Sequence, residues 1–166
     1  ASTPDAVRAR LTEAAGKIAA ANAGPAKARN AKAVELGEAI LDVLEAEEAR
    51  QDKQHRETVL LGLMAALRAR PEGTDTVAAL FLTNLNAQVR ADAANTLARI
   101  RAKNANTALR AMLMSDDDAT ARANAARALA AAEDKEAVNL LIEAATEDED
   151  SRVRVSATRA LASLRD

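Results

Sequence analysis

One imidazole, two acidic runs and one basic block are the parts of this chain that could carry chemistry. His55 could act as a general base beside a nucleophile. The chain has no Cys, and His55 lies between Gln54 and Arg56 in its most polar stretch, with no clustered Ser or acid partner. It reads as a surface residue. Asp116-Asp117-Asp118 and Glu147-Asp148-Glu149-Asp150 could offer oxygen ligands to calcium. A calcium loop also needs a Gly at its sharp turn and a distal bidentate Glu. Neither run has them, so both read as helix starts, where the helix dipole favours negative charge. Arg99, Arg101, Lys103 and Arg110 could grip phosphate. Tyr and Trp are absent and Phe81 is the only aromatic, so no stacking platform accompanies them. All five Gly lie at or before Gly73 and are scattered, which leaves no phosphate-cradling loop. No catalytic residue, metal site or cofactor is expected.

The elements that would position any site must be helices. Ala, Leu, Arg and Glu are strong helix formers, and no stretch alternates apolar and polar residues for long. The formal charge of −2 gives no global reason to bind nucleic acid. The charge is blocky all the same: residues 51–110 hold nine basic and five acidic groups, residues 111–166 seven and twelve. No run reaches the roughly 18 apolar residues of a spanning helix. The chain opens Ala1-Ser2-Thr3-Pro4. That start fits Met removal, signal-peptide cleavage or excision from a longer chain. Cytoplasm and periplasm both remain open.

Three segments align without gaps, 32 residues apart: 86–97, 118–129 and 150–161. Arg90, Arg122 and Arg154 coincide, as do Ala93, Ala125 and Ala157, and Leu97, Leu129 and Leu161. Val89, Ala93, Leu97 and Ile100 fall on one helical face, and Val153, Ala157, Leu161 and Leu164 repeat it. Asn86, Asp118 and Asp150 precede these stripes and should cap the first turns. A second set of columns holds Val77, Leu80 and Phe81, then Leu109, Met112 and Leu113, then Leu141, Ala144 and Ala145. The pattern predicts hairpins of a helix A, a short turn and a helix B. A helices are expected near 55–69, 87–101, 118–131 and 150–165, and B helices near 74–83, 105–115 and 135–146.

Residues 1–53 do not obey the columns and are expected to cap the stack as an atypical helix pair; residues 54–166 form the repeats. Val7, Leu11, Ala14, Ile18 and Ala21 predict a buried stripe on a helix over 5–22, ended by Gly24-Pro25. Val34, Leu36, Ile40, Leu41, Val43 and Leu44 give a wide apolar face to a second helix near 29–49. The polar stretch Glu45 to Arg56 holds either a turn near Gln51-Asp52-Lys53 or one unbroken helix; the turn is preferred.

These columns resemble the HEAT-like repeats, in particular the short bacterial form first noted in phycobilisome lyases. Asp150, Val153-Arg154, Ala157 and Ala160-Leu161 match the family pattern; Asp118 to Leu129 departs in Ala121, and Asn86 to Leu97 departs in Asn86. The resemblance implies an all-α, right-handed superhelix of about four and a half antiparallel helix pairs. It also implies A helices on the convex side and B helices lining the concave side. The columns Asn86, Arg90, Asp118, Arg122, Asp150 and Arg154 then read as a structural ladder of caps and exposed ion pairs, each worth about 0–1 kcal/mol. Asp75, Thr107, Arg110, Ala111, Asn139 and Glu143 point away from the core stripe and form the expected concave partner-binding face. The functional expectation is a non-catalytic, monomeric scaffold for a protein or peptide partner. A nucleic-acid binder using Arg99 to Arg110 and a lyase-type enzyme subunit are the alternatives.

Overall fold

Helix propensity carries through almost the whole chain. The computed structural model describes residues 4–22 and 30–165. Among them are nine α-helices and no strand: α1 (Asp5–Ala21), α2 (Ala31–Glu48), α3 (Arg56–Ala69), α4 (Thr74–Ala79), α5 (Ala87–Ile100), α6 (Asn106–Ser115), α7 (Ala119–Ala131), α8 (Val138–Glu147) and α9 (Ser151–Leu164). A 3-10 turn over Gln51–Lys53 follows α2, so residues 31–69 are two helices. The expected break at Gly24-Pro25 lies outside the described residues. No helix among the described residues is long and apolar enough to cross a membrane.

The chain divides into two compact units, Ala1–Val77 and Ala78–Asp166, with α4 crossing the boundary. In the first unit α1 lies along α3, and α2 packs on both. The face of α1 that packs is not the expected one. Val7, Leu11 and Ile18 are 48%, 60% and 52% exposed, whereas Ala9, Thr12, Gly16 and Ala19 are buried. The reason is close approach. A Cβ placed on Gly16 would lie 2.5 Å from the Cβ of Ala65 on α3. Two backbones this near need a seam of small residues, and the dispersion contact along that seam outweighs the greater apolar area of the other stripe.

The second unit is an α solenoid. α5, α7 and α9 lie side by side in close contact, α6 packs against α7, and α8 packs against α9. The hairpins are therefore α6–α7 and α8–α9, one helix out of phase with the expected pairing. The turns that close them are the acidic ones, Asp116 to Asp118 and Asp148 to Asp150. The links α5 to α6 and α7 to α8 instead run through left-handed residues, Arg101 (φ 59°) and Glu133 (φ 60°). Val89, Ala93, Leu97, Leu109, Leu113, Ala121, Ala125, Leu129, Leu141, Val153 and Ala157 are almost wholly buried, as their columns predict. Ile100, Ala145 and Leu161 are half-buried, and Leu80 departs most at 45% exposed, because α4 tightens into a 3-10 turn over Leu80–Thr83 and the helical phase slips.

The approach of α5, α7 and α9 also has a sequence cause. Ala91, Ala94, Ala123 and Ala126 are buried between them, and alanine lets helix axes come to the short end of the usual spacing. α6 and α8 carry Leu109, Met112, Leu113 and Leu141 inward and meet one another at only a few residues. The unit is tight on the α5/α7/α9 side and open on the α6/α8 side. The close-packed, inner side is formed by the helices that bear the Arg columns, which the resemblance placed on the convex side.

Candidate functional site

The Asn and Asp columns cap their helices. Asn86 Oδ1 accepts from the Val89 amide at 3.2 Å, Asp118 Oδ1 from Ala121 at 2.8 Å, and Asp150 Oδ1 from Arg152 at 2.8 Å. Turned into their own helix starts, these side chains do not form the rungs of the ladder. The rungs use the acid two residues earlier, at the close of the preceding helix. Arg90 donates through Nε and Nη2 to Asp116 at 2.7 Å each. Arg122 does the same to Asp148 at 2.8 and 3.0 Å. Asp116 and Asp148 also accept from the amides of Asp118 and Asp150, each at 2.9 Å. The third guanidinium nitrogen is anchored on backbone: Arg90 Nη1 on the Asn84 carbonyl at 2.9 Å, Arg122 Nη1 on that of Asp116 at 2.8 Å, and Arg154 Nη1 on that of Asp148 at 2.8 Å. Arg154 has no carboxylate partner among the described residues.

These rungs are not exposed pairs. The side chains of Arg122 and Asp148 are only 9% and 8% exposed, and those of Arg90 and Asp116 only 13% and 5%. Each should exceed the about 0–1 kcal/mol of a surface ion pair. The Arg122 hydrogen bonds hold the Asp148 carboxyl below its ordinary range against burial, with help from the Asp150 amide. At Asp116 burial pushes upward, but the Arg90 and Asp118 hydrogen bonds win and the value is lowered. Asp150 is held at about 2, chiefly by the Arg152 side chain and amide. A carboxyl depressed in the folded state adds stability above its unfolded value and loses it as pH falls through the folded one. Asp148→Asn should therefore melt below the wild type at pH 7, with the gap closing as pH falls below about 4. Thermal melts across that range check it; a gap independent of pH would exclude the linkage.

The expected concave residues are scattered in their roles. Thr107 and Ala111 on α6 and Asn139 and Glu143 on α8 are exposed on the outer side of the second unit, and Asp75 belongs to the first unit. Arg110 is engaged: it pairs with Glu136 and, at 3.4 Å, with Asp134. The basic block is likewise dispersed, since Lys103 pairs with Glu133 at 3.4 Å and Arg99 sits on α5. The acidic runs face amides and guanidinium groups, and no cluster among the described residues could hold a metal ion. His55 is half-buried with Nδ1 2.8 Å from the Thr58 hydroxyl.

The inner side of the second unit carries a polar array that the columns contained but did not single out. Positions 88, 92, 95 and 99 form one helical stripe on α5: Gln88, Asp92, Asn95 and Arg99. One period later come Thr120, Asn124, Arg127 and Ala131 on α7, then Arg152, Ser156, Arg159 and Ser163 on α9. Asn124 Nδ2 donates to the Ala91 carbonyl at 2.8 Å and so ties α7 to α5. Arg127 donates to Asn124 Oδ1 at 2.9 Å and to Asn95 Oδ1 at 3.4 Å. Burial raises the pKa of Asp92. Arg152 is paired with Asp150 at 2.8 Å. Toward the C-terminal ends of the three helices lies a shallow depression of about 290 Å³, lined by Ala98, Arg99, Arg127, Ala130, Ala131, Ser156, Arg159 and Ala160.

A family model of HEAT repeats matches residues 74–162, more than half of the chain, and the protein belongs to the HEAT-repeat family. No curated protein matches it. Among solved structures it is similar to the crystal structure of an engineered protein, with a TM-score of 0.61 and 22% identity over 99% of this chain and 75% of the other. That likeness concerns the fold alone.

Proposed function

We propose that the protein is a non-catalytic scaffold that binds a protein or peptide segment on the α5/α7/α9 face of its second unit. The observation that carries this reading is the polar stripe at 88/92/95/99, repeated at 120 and 152 on three helices in close contact. Stacked helices present such a stripe as a continuous surface, with no deep enclosed cavity for a small molecule. The amide of Asn95 and the hydroxyls of Thr120 and Ser156 offer donors and acceptors suited to an extended backbone. An affiliation with the short bacterial, phycobilisome-lyase type of repeat rests on the Asp, Val-Arg, Ala, Ala-Leu pattern alone and adds no chemistry to this face.

The absence of Cys permits a direct test. Thr120→Cys on the inner face and Glu143→Cys on the outer face, each carrying an environment-sensitive fluorophore, report where a ligand docks. Peptides selected on the whole chain from a random display library should change the emission at 120 and leave 143 silent. A response confined to 143 would return the site to the α6/α8 side.

A further inference from the structure

Five basic side chains of the second unit are matched by carboxylates. Arg90 faces Asp116 and Asp117, Arg122 faces Asp148 and Glu149, Arg110 faces Asp134 and Glu136, Lys103 faces Glu133, and Arg152 faces Asp150. Two arginines on the inner face have no carboxylate partner among the described residues. Arg159 has no hydrogen-bond or ion-pair partner among the described residues, and Arg127 is held only by the neutral amide oxygens of Asn124 and Asn95. Both line the 290 Å³ depression, whose floor is the short side chains of Ala98, Ala130, Ala131 and Ala160. Resting on the inner-face reading above, we infer that Arg127 and Arg159 form a clamp for the carboxylates of an acidic peptide segment lying across α7 and α9.

The chemistry favours this occupant. A guanidinium offers two parallel N–H donors that match a carboxylate, and a charge-assisted pair of this kind is roughly twice as strong as a neutral hydrogen bond. Asn95 and Asn124 fix the Arg127 fork before a ligand arrives, so less side-chain freedom is lost on binding. The alanine floor leaves room for the methylene stems of Glu or Asp. Ser156 stands at the rim as a hydroxyl for the peptide backbone. Nucleic acid fits less well. The only aromatic, Phe81, is fully buried, so bases would find no stacking surface.

The test titrates the whole chain with hexaglutamate and follows the arginine Nε–H resonances, with inorganic phosphate and hexathymidylate as parallel probes. Hexaglutamate should bind saturably and move the Arg127 and Arg159 signals. The R127Q/R159Q variant should lose at least tenfold in affinity with an unchanged melting curve, while R68Q/R101Q, which removes the same charge elsewhere, should keep it. Equal loss in both variants would reduce the effect to general charge attraction and overturn the clamp. Tighter binding of hexathymidylate, or displacement of hexaglutamate by equimolar phosphate, would overturn it as well. If a library-selected peptide is reported by the fluorophore at 120 while hexaglutamate moves neither arginine, the clamp falls and the inner-face scaffold stands. If selected peptides avoid position 120, both fall.

Discussion

Replacing Glu47 with Ala should lower the unfolding free energy by about 3 kcal/mol, the low end of the range for breaking a buried ion pair. The Glu47 side chain is only 1% exposed. Its Oε1 accepts from Arg8 and, at 2.9 Å, from Arg50, and its Oε2 accepts from the His55 amide at 2.8 Å. Truncation leaves that amide and part of two cations unmatched where water is scarce. The loss stays at the low end because Arg8 and Arg50 keep 30% and 33% exposure and retain Asp5 as a partner. Glu47→Gln, which keeps one acceptor, should cost visibly less. Urea denaturation of the two variants decides the matter, and a loss under about 1 kcal/mol for Glu47→Ala would mean the network contributes no more than a surface pair.

Leu129→Ala should cost about 2–5 kcal/mol by opening a cavity in the middle of the second unit. Leu129 is wholly buried on α7, the helix that touches α5, α6 and α9. Its repeat mates supply an internal scale. Leu97 is 1% exposed and should behave alike, whereas Leu161 on α9 is only half-buried and should cost distinctly less. Denaturant melts of the three single variants should reproduce that order. Equal costs along the column would show that the layers are not packed as described.

How much of this was legible in the sequence depends on which quantity was asked of it. A period is visible in columns, so the caps at Asn86, Asp118 and Asp150 and the buried Leu97 and Leu129 follow from spacing alone. Phase is not visible in columns. Which neighbour a helix folds back on depends on turn geometry, and the acidic turns that close the α6–α7 and α8–α9 hairpins look in sequence like helix starts. That one-helix offset puts the expected binding face on the α6/α8 side. α1 failed for a different reason. Hydropathy weighs Val7, Leu11 and Ile18 above Ala9, Gly16 and Ala19, yet backbone proximity rewards the small residues. Glu47 was hidden inside a stretch that is polar at nearly every position, where nothing marks one carboxylate as buried. The ladder was half read: the arginines are where the columns put them, but their partners sit two residues before the expected acids.

The Arg ladder gives the second unit a polarity along its axis. Each guanidinium draws its carboxylate from the hairpin that follows, 26 residues downstream, while its backbone anchors lie behind it. Every layer is thus latched by its successor. Arg154 holds only its rear anchors, so α9 is the one helix of the Arg series described without a latch. In a one-dimensional stack whose stability is a sum of neighbour terms, each latch belongs to one boundary, so breaking it loosens the two layers that share it and leaves the other boundary as it was.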